Sequence, residues 1–368
     1  MTSNAAIDRE FMAAALALAE RGLYTTTPNP RVGCIIVAAG QIIGEGWHQR
    51  AGESHAEVRA LEDAKGRGHD VRGATVYVSL EPCNHHGRTP PCTDALIDAG
   101  VARVVAAMRD PNKAAAGGAE RLRGAGIEVE FGPLEREARE LNIGWIQRIQ
   151  TGRPWVRMKI AASLDGRTAL ANGVSQWITG EEARADGHCW RARACAVLTG
   201  IGTVKQDDPQ LNVRAVPTPR QPLKVVVDRH SELLPTARLL ATGETLVIVA
   251  NAEAADAALP AHVQRLVLPD ANGRIDLAAM VHALGRRGIN ELHVEAGAKL
   301  NGALLGAGIV DELLLYFAPM VLGDDARGMF ALPQTLTSLS SRVRLDVKSV
   351  AAVGDDWRLL ARVKHRES

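Results

Sequence analysis

Short apolar segments alternate with amphipathic stretches along residues 1–151. The apolar segments predict strands at VGCIIVAAG (32–40), QIIGEGWH (41–48), ATVYVSL (74–80), ARVVAAM (102–108) and GIEVEF (126–131). The stretches between them predict helices that begin near Ile7, His55, Thr93, Gly118 and Leu134. Strands and helices in this order are typical of an α/β domain, and they predict a largely parallel sheet.

A cluster of breaking residues, Thr151-Gly152-Arg153-Pro154, follows the last of these helices. Because Gly and Pro interrupt regular structure, the cluster predicts a boundary between one domain over residues 1–151 and a second over residues 152–368. Further strands are predicted at PWVRMKIAAS (154–163), ACAVLTG (194–200), PLKVVVD (222–228), TLVIVA (245–250), QRLVLP (264–269), ELHVEAG (291–297) and VDELLLYFAPMVLG (310–323). The second half is therefore also α/β. The halves show no sequence repeat, which predicts that they are different domains with different functions.

The composition is that of a globular protein, with 46% hydrophobic and 23% charged residues, and it disfavours intrinsic disorder. Lysine plus arginine number 43 against 42 for aspartate plus glutamate, so the overall charge indicates neither a nucleic-acid partner nor an anionic membrane surface. The five cysteines, an odd number in a long chain, favour a reducing compartment, which we take to be the cytoplasm.

The segment FMAAALALAE, from Phe11, is similar to the apolar part of a secretion signal. Asp8, Arg9 and Glu10 precede it, whereas a signal peptide begins with cationic residues. The segment therefore predicts a first amphipathic helix with Asp8 as its cap. No apolar run approaches the ~18 residues of a membrane span, so no membrane partner is expected.

The segment LEPCNHHGRTPPC, residues 80–92, is unsuited to a buried core because it holds three prolines and two adjacent histidines. Its two cysteines, Cys83 and Cys92, need one more ligand to form a catalytic zinc site with an open position for water. The upstream sequence ESHAEVRAL offers His55 as that ligand. His-x-Glu followed by Pro-Cys and a second Cys is the signature of zinc-dependent nucleobase deaminases. Glu57 is then the proton-transferring residue, which does not bind the metal.

Other interpretations of these residues stay open. A cysteine pair by itself is more often part of a core than of a metal site, and His-x-Glu also occurs by chance. His85 and His86 compete as metal ligands, although adjacent loop residues rarely point at one ion. Either histidine could instead contact the substrate.

The spacing of the two cysteines is unusual for a deaminase. Most deaminases have two residues between them, whereas eight lie between Cys83 and Cys92. This loop resembles that of the bifunctional deaminase and reductase family of riboflavin biosynthesis, and PNPRVGC (28–34), GWH (46–48) and DPN (110–112) match the same family. The resemblance implies a cytidine-deaminase-like three-layer domain whose pocket is lined by Asn29 and His48. Lys113 replaces the usual proline after Asp-Pro-Asn, a departure expected to alter a loop near the substrate phosphate and not the zinc chemistry.

The second half lacks a convincing dinucleotide-binding fingerprint, G-x-G-x-x-G. Gly200 and Gly202 follow a predicted strand, but no third glycine arrives at the required spacing, so a Rossmann domain is disfavoured. MKIAASLDGRTAL, SQWITG and GIGTVKQDDPQLNVR are similar to the family's reductase half, which resembles dihydrofolate reductase in fold and binds NADPH. The turn VEAGAKLNGALL (294–305) predicts a phosphate site at a helix N-terminus. Ala296 stands where the family more often has glycine, and alanine tolerates that position unless φ is positive.

The resemblance implies two sets of contacts in the reductase half. The cofactor contacts are Ala161, Trp177, Thr203, Asp207, Gly297, Ala298, Lys299, Leu300, Asn301, Gly302 and Ala303. The substrate contacts are Ser175, Arg191, Leu211, Arg214 and Glu295. Arginine suits a ribose 5-phosphate because the guanidinium is permanently charged and binds in a bidentate manner. A solvated surface charge remains the alternative for Arg191, and a turn before Pro209 the alternative for Asp207 and Asp208. Cys189, Trp190 and Cys195 are predicted to be core residues.

The resemblance implies a two-step enzyme of riboflavin synthesis that forms a homodimer through its C-terminal half. Its substrate is a small pyrimidine ribosyl phosphate, 2,5-diamino-6-ribosylamino-4(3H)-pyrimidinone 5′-phosphate. Zinc-dependent hydrolysis of the 2-amino group comes first, and NADPH-dependent reduction of the ribosyl group at C1′ follows.

Two other functions fit the sequence less well. A tRNA or nucleoside deaminase with an unrelated second domain is the first, and the near-neutral charge with 4% aromatic residues disfavours it. A binding protein built on an inactive deaminase is the second. Such a protein would lack Glu57 or a zinc ligand, and all of these residues are present.

Overall fold

A computed structural model describes residues 2–87, 90–251 and 259–364, so Arg88 and Thr89 of the long cysteine loop lie outside the described residues. Tertiary contacts divide the chain after Gly152, and we refer to residues 1–152 and 153–368 as the N-terminal unit and the C-terminal unit. Among the described helices, none is long and apolar enough to cross a membrane.

The N-terminal unit contains both helices and strands in the predicted alternation. Its helices are α1 (Thr2–Glu20), α2 (Ala56–Gly66), α3 (Cys92–Ala99), α4 (Gly118–Gly124), α5 (Glu135–Leu141) and α6 (Ile143–Thr151). Its strands are β1 (Gly33–Ala38), β2 (Gln41–Trp47), β3 (Thr75–Val78), β4 (Arg103–Ala106) and β5 (Glu128–Phe131). Each predicted strand of this half is present.

The sheet of the N-terminal unit has the strand order β2-β1-β3-β4-β5. β3, β4 and β5 are parallel, but β1 runs antiparallel to both β2 and β3. Four of the five strands, β2 to β5 without β1, therefore run in one direction, in line with the predicted largely parallel sheet, and β1 alone is reversed. Ala39 and Gly40 form a turn between β1 and β2 with φ of 49° and 75°. Such a short turn joins only antiparallel strands, since a parallel pair needs a long crossover.

Close contacts at two glycines show a helix on each face of this sheet. A Cβ added to Gly33 on β1 would lie 2.0 Å from a carbonyl oxygen of α1, and one added to Gly46 on β2 would lie 2.3 Å from a carbonyl oxygen of α2. Gly46 pairs with Cys34, the neighbour of Gly33, so the two glycines face opposite sides. The unit therefore has three layers, with β1 buried between α1 and α2.

Asp8 is not the cap of the first helix, because α1 begins at Thr2 and Asp8 lies within it. Its buried carboxylate accepts hydrogen bonds from Tyr77 Oη at 2.7 Å and from Arg103 Nη1 and Nη2 at 2.9 and 2.8 Å. The hydrogen bonds from Arg103 outweigh burial and lower the pKa of Asp8. The continuous apolar run of α1 begins at Phe11, after Asp8, so its pattern indicated a helix start there. The run marks only the part of α1 that packs on the sheet, and the helix itself begins earlier, at Thr2.

Replacing Asp8 by asparagine is expected to destabilise the N-terminal unit by about 1.5–3 kcal/mol at neutral pH, since a charge-assisted hydrogen-bond network is lost. The pKa of Asp8 is lower in the folded protein than in the unfolded chain, where it is about 3.9. Its stabilising contribution is therefore complete above that value and declines as the pH falls below it. Urea unfolding of both proteins from pH 7 to pH 3 measures this difference, with Glu10→Gln, on the exposed side of α1, as the control. An equal penalty at both pH values would contradict the assignment.

The C-terminal unit is built around a large sheet. Its helices are α7 (Glu181–Arg193), α8 (Ile201–Asp207), α9 (Leu277–Arg286) and α10 (Ala298–Gly306), with 3-10 turns at Arg238–Ala241 and Leu339–Ser341. Its strands are β6 (Trp155–Ser163), β7 (Arg167–Ala169), β8 (Ala196–Gly200), β9 (Leu223–Val227), β10 (Thr245–Val249), β11 (Val263–Val267), β12 (Glu291–Val294), β13 (Glu312–Ala318), β14 (Arg327–Gly328), β15 (Arg344–Val353) and β16 (Asp356–Lys364).

The strand order of this sheet is β11-β10-β9-β8-β12-β6-β13-β16-β15. The strands from β11 to β13 are parallel, and β16 and β15 are antiparallel additions at one end. The parallel strands agree with the predicted ones, whereas the hairpin of β15 and β16 was not predicted from the sequence. Both strands carry several charged residues, β15 is mostly exposed and β16 is mostly half-buried, so they lack the apolar run that identified the others. The last predicted strand is also shorter than expected and ends at Ala318.

Candidate functional site

The start of α2 carries two residues of the predicted zinc site. His55 immediately precedes the helix in an extended conformation, with φ of −74° and ψ of 168°, and Glu57 lies in the first turn. Glu57 is 3% exposed, so its carboxyl group is shielded from solvent. The close approach of α2 to Gly46 on β2 sets the position of this end of the helix.

Cys83 and Cys92 complete the predicted set of ligands. Cys83 lies in the loop after β3, and Cys92 is the first residue of α3. His55 Nδ1 is 3.2 Å from Cys92 Sγ and 3.5 Å from Cys83 Sγ. The backbone N–H of Cys92 also donates to Cys83 Sγ at 3.4 Å. The fold thus brings three side chains from separate elements to one point.

These three side chains fit a zinc ion. Their ligand atoms lie within 4.8 Å of one another, as expected of atoms that each bind one ion at about 2.0–2.3 Å. Two sulfurs and an imidazole nitrogen suit zinc, and three protein ligands leave a fourth position for water. Among the described residues, this is the one group of three or more His, Cys, Asp or Glu side chains that could hold a metal ion. The competing ligands His85 and His86 are exposed and lie outside this group.

The electrostatics of the site suit proton transfer. Burial, reinforced by the charge of Cys83, raises the pKa of Glu57 to about 7. A carboxyl group that titrates near neutrality can both accept and donate a proton at physiological pH. A hydrogen bond from Cys92, the larger effect, and one from His55 lower the pKa of Cys83. Burial raises it, but the hydrogen bonds outweigh burial. A lowered pKa favours the thiolate, which is the form that binds a metal.

The predicted substrate contacts Asn29 and His48 lie beside the predicted ligand His55. Asn29 Nδ2 is 3.0 Å from His48 Nε2, and His48 Nδ1 is 3.3 Å from the Ser54 carbonyl oxygen. Burial lowers the pKa of His48, which favours a neutral ring that donates from Nδ1 and accepts from Asn29 at Nε2. The rings of His48 and His55 meet edge to face, with centroids 5.3 Å apart. The two residues are therefore neighbours of the metal site.

Sequence reasoning missed Glu81, which immediately precedes the Pro-Cys pair. Its buried carboxylate accepts hydrogen bonds from the N–H of Asp110 at 3.1 Å and from the N–H of Ala119 at 3.0 Å. Glu81 thereby ties the Asp-Pro-Asn motif and the start of α4 to the cysteine loop. The sequence signal for Glu81 was a carboxylate placed shortly after a buried strand. Lys113, where the chain departs from the family pattern, is exposed.

Three predicted cofactor contacts of the C-terminal unit, Thr203, Asp207 and Gly297, lie where neighbouring strands of its sheet end. β8, β12, β6 and β13 are parallel neighbours, so their carboxyl ends meet at the same edge. Ligands of open α/β sheets usually bind there. β8 leads into α8, which carries Thr203 and Asp207, and β12 leads through Glu295 to Gly297. A Cβ added to Gly297 would lie 3.7 Å from Thr203 Oγ1, so these two predicted contacts are adjacent.

The predicted phosphate site lies at the start of α10, directly after Gly297. The N–H groups of the first turn, at Ala298, Lys299 and Leu300, have no acceptor within the helix and can bind an anion. The N–H of Asn301 instead donates to the Gly297 carbonyl oxygen at 3.0 Å. Within the predicted contacts 298–303, the first three residues therefore offer backbone N–H groups to a ligand, and Asn301 does not.

The second part of that stretch packs inward. Asn301 is 1% exposed and its Nδ2 lies 3.3 Å from the Met329 carbonyl oxygen. Gly302 is also buried, whereas Ala303 is half-buried. Ala296 does not have a positive φ, so the alanine in place of the usual glycine carries no backbone strain.

The remaining predicted cofactor contacts lie on different elements. Ala161 is on β6, and Trp177 is in the segment between β7 and α7, as is the predicted substrate contact Ser175. Trp177 is 65% exposed, with the Arg184 guanidinium 4.6 Å from its ring centroid. Asp207 is exposed, and partial desolvation raises its pKa. Its neighbour Asp208 ends α8 with φ of 40°, so the turn expected before Pro209 falls on Asp208.

Arg191 and Glu295, both predicted substrate contacts, form a fork-like ion pair. Arg191 Nε and Nη2 donate to the two Glu295 oxygens at 2.7 and 2.9 Å, and Arg191 Nη1 donates to the Asn212 carbonyl oxygen at 2.6 Å. The Arg191 side chain is 13% exposed, so the alternative of a solvated surface charge is wrong. Arg214 Nη1 donates to Asn212 Oδ1 at 3.3 Å, and Leu211 is buried with φ of 51°. Four of the five predicted substrate contacts therefore lie close together.

Sequence reasoning also missed Lys159, in the middle of β6. Burial lowers its pKa, against the opposing effect of the Glu295 carboxylate, and the nearby Arg191 lowers it further. Burial works against ionisation of Glu295 as well, but Arg191, His293 and Lys159 together hold the pKa of Glu295 well below its usual value. A lysine inside the apolar strand MKIAAS was the signal for this residue.

Two family models match the chain, one in each unit. Residues 5–108 match the cytidine and deoxycytidylate deaminase zinc-binding region, and residues 154–359 match the RibD C-terminal domain. Together with the predicted zinc ligands, these matches define a zinc-dependent deaminase joined to a reductase. The predicted fold class, α/β with a cytidine-deaminase-like domain followed by a reductase domain, is confirmed.

The whole chain is similar to proteins of one family. The riboflavin biosynthesis protein RibD of Escherichia coli is 48% identical over 363 residues, covering 95% of this chain and 97% of the relative. The solved structure of Acinetobacter baumannii RibD has a TM-score of 0.89 and 43% identity, and covers 98% of this chain and all of that one. A Thermotoga maritima structure has a TM-score of 0.90 at 35% identity, with 98% of this chain and all of that one covered. The chain belongs to the RibD family of bifunctional deaminase and reductase enzymes of riboflavin biosynthesis.

Proposed function

We propose that the chain carries out two successive reactions on one pyrimidine. Residues 1–151 form the deaminase domain, which hydrolyses the 2-amino group of 2,5-diamino-6-ribosylamino-4(3H)-pyrimidinone 5′-phosphate. Residues 152–368 form the reductase domain, which gives 5-amino-6-ribitylamino-uracil 5′-phosphate with NADPH. The Thermotoga relative is named a diaminohydroxyphosphoribosylaminopyrimidine deaminase and 5-amino-6-(5-phosphoribosylamino)uracil reductase, which supports this assignment. The observation that carries it is the group of His55, Cys83 and Cys92 beside the buried Glu57.

Hydrolysis of the amino group requires a strong nucleophile and a proton carrier. A zinc ion held by His55, Cys83 and Cys92 supplies Lewis acidity that makes water nucleophilic at neutral pH. Glu57 takes a proton from the water that adds to C2 and passes protons to a ring nitrogen and to the leaving amino group. Ammonia then departs, and C2 becomes a carbonyl carbon. Asn29 and His48 orient the pyrimidine for this addition.

Removal of the zinc is expected to stop the first reaction and leave the second intact. A chelator should lower ammonia release by several orders of magnitude, because unassisted water has a pKa of about 15.7 and is a poor nucleophile. NADPH oxidation with the deaminated uracil phosphate should continue at the original rate. Added zinc should restore ammonia release. Continued ammonia release from metal-free protein would contradict the proposed site.

The charges at the reductase site suit a phosphorylated substrate. Arg191, Arg214 and Lys159 interact with a single carboxylate, Glu295, so the group has an excess of positive charge. Arg214 is exposed, but partial desolvation and the neighbouring Arg191 lower its pKa, as expected of a cation beside a second cation. We infer that Arg214 binds the ribose phosphate, while Arg191 is held by Glu295 and shapes the pocket.

The reduction needs a hydride for C1′ and a proton for the ring oxygen. Bound NADPH supplies the hydride. Hydride delivery to C1′ would be balanced by opening of the C1′–O4′ bond, so O4′ would need a proton. We infer that Lys159 gives that proton, because it lies near Glu295 and Arg191 of the predicted substrate contacts. Burial also lowers its pKa, which makes its ammonium a stronger acid than that of an exposed lysine.

We also propose that the protein is a homodimer formed through β15. This strand ends the strand order of the sheet, and its other edge has no paired strand among the described residues. Val347 and Val350 on β15 are 53% and 56% exposed, and Trp357 on β16 is 52% exposed. An exposed edge with apolar side chains is a template for pairing with another chain.

Introducing charge at this edge is expected to separate the dimer. The double variant Val347→Lys and Val350→Lys should sediment as a monomer at concentrations where the original protein is a dimer. The variant Lys113→Glu, at an exposed position of the N-terminal unit, is the control and should remain dimeric. A monomeric original protein, or a dimeric double variant, would contradict the proposed interface.

The five cysteines are free thiols, and Cys83 and Cys92 must remain reduced to bind zinc. Oxidising compartments favour disulfide formation, whereas the cytoplasm keeps thiols reduced. We therefore propose a cytoplasmic enzyme.

A further inference from the structure

Residues 109–153 belong to neither of the two matched family regions. They include α5 and α6, which meet at Asn142. Asn142 is 1% exposed, although asparagine is usually a surface residue. A buried amide must form hydrogen bonds on both its oxygen and its nitrogen, and the partners of this amide point to the deaminase pocket.

Asn142 binds the backbone of a single distant residue. Its Oδ1 accepts from the Arg31 N–H at 2.8 Å, and its Nδ2 donates to the Arg31 carbonyl oxygen at 2.8 Å. One side chain therefore satisfies both backbone groups of Arg31, as a neighbouring strand would. Arg31 Nη1 donates to the Leu141 carbonyl oxygen at 2.6 Å, and Arg148 Nη2 donates to the Pro28 carbonyl oxygen at 3.1 Å. Residues 28–31 are thus held at both ends by the junction of α5 and α6.

The local role of Asn142 does not explain this arrangement. Its backbone N–H donates to the Ala138 carbonyl oxygen at the end of α5, and its carbonyl oxygen accepts from the Ile146 N–H in α6. Asparagine at this position usually caps the following helix with its side chain. Here the side chain makes no capping hydrogen bond to α6, because both polar atoms are used on Arg31.

The segment held in this way carries a predicted substrate contact. Asn29 lies within residues 28–31, and its Nδ2 meets His48 Nε2 at 3.0 Å. On the other side of the segment, the His48 N–H donates to the Val32 carbonyl oxygen at 2.9 Å. Any movement of Arg31 would therefore shift Asn29 relative to His48 and the zinc ligand beside it.

We propose that Asn142 is a positioning residue of the deaminase, which holds Asn29 in place for the pyrimidine. The inference rests on the proposed deaminase reaction, and it gives the unassigned segment 109–153 a part in that site. Asn142 acts through Asn29, so its loss should impair substrate binding without removing zinc. A displacement of about 1 Å in a substrate-positioning group can cost on the order of 10²-fold in rate.

A double-mutant cycle tests the proposal directly. The kcat and KM for ammonia release are measured for the original protein, Asn29→Ala, Asn142→Ala and the double variant. We expect Asn142→Ala to lower kcat/KM on the order of 10²-fold, mainly through KM, and the double variant to be little worse than Asn29→Ala alone. Additive losses would overturn the proposal, since they mean that Asn142 does not act through Asn29.

Two further readouts separate positioning from a general loss of structure. Zinc content and NADPH oxidation with the deaminated uracil phosphate should be unchanged in Asn142→Ala. Ala138→Gly weakens α5 without removing the contacts to Arg31, so it should leave KM unchanged, and an equal rise in KM would overturn the proposal.

If Asn142→Ala does not bind zinc, Asn142→Asp takes its place in the cycle, because it keeps an acceptor for the Arg31 N–H. An original protein that releases no ammonia would refute the proposed reaction itself, independently of Asn142.

Discussion

Replacing Glu57 by glutamine is expected to lower the rate of ammonia release by about 10²–10⁴-fold, because the amide cannot transfer the protons of the reaction. Glutamine has nearly the same shape, so zinc should remain bound by His55, Cys83 and Cys92. Reduction of the deaminated uracil phosphate should proceed normally, since it depends on a separate site. Ammonia release, zinc content and NADPH oxidation measured on one preparation give all three results.

The matched control for this variant is Glu53→Gln. Glu53 lies in the segment before His55 and pairs with Arg59 at 2.8 Å at an exposed position. Its replacement removes a carboxylate close in sequence to the site without removing a proton carrier. Ammonia release should therefore change little. Equal losses in the two variants, or full activity in Glu57→Gln, would show that Glu57 does not carry the protons.

Replacing Lys159 by methionine is expected to lower the reductase kcat by about 10²–10⁴-fold, the usual effect of removing a positioned proton donor. Methionine keeps most of the side-chain length, so NADPH affinity should change little. Lys159→Arg should also be slow, because a guanidinium stays charged and cannot release a proton. Stopped-flow measurement of NADPH oxidation with the deaminated substrate separates the chemical step from binding.

The pH dependence provides a second test of Lys159. Burial lowers the pKa of its ammonium below the usual 10.5. The protonated, donating form is lost as the pH rises through this lowered pKa, so the reductase rate should fall at a lower pH than an ordinary lysine would cause. Lys159→Arg should lack this decline. Lys364→Met, at an exposed position of the same unit, should keep the original profile. An unchanged alkaline decline in Lys159→Arg would assign the proton to another group.

The zinc site could be predicted from the sequence because its chemistry is local and specific. His55 and Glu57 are two residues apart at a helix start, and Cys83 and Cys92 flank one loop, so residue types and spacing define the site. The parallel strands of the C-terminal unit were predictable for a related reason, since buried strands are continuous apolar runs. Strands with mixed exposure, such as β15 and β16, carry no such pattern.

The features that were missed depend on contacts between distant parts of the chain. The sequence predicts Asp8 as a helix cap, whereas its carboxylate binds Tyr77 and Arg103, which lie far away in the chain. The proposed role of Asn142 follows only from its contact with Arg31, which lies 111 residues earlier in the chain. Residue type and local periodicity carry no information about such pairs, because the fold alone brings them together.

The most direct test of the two-step account follows ammonia and NADPH together after the original protein, loaded with zinc, is mixed with the diaminopyrimidine phosphate. The account predicts that ammonia appears first and that NADPH is then consumed in an equal amount. It also predicts that Glu57→Gln consumes NADPH only when supplied with the deaminated uracil phosphate. NADPH consumption without ammonia release, or no ammonia release with zinc bound, would contradict the proposed substrate and the proposed order of the two reactions.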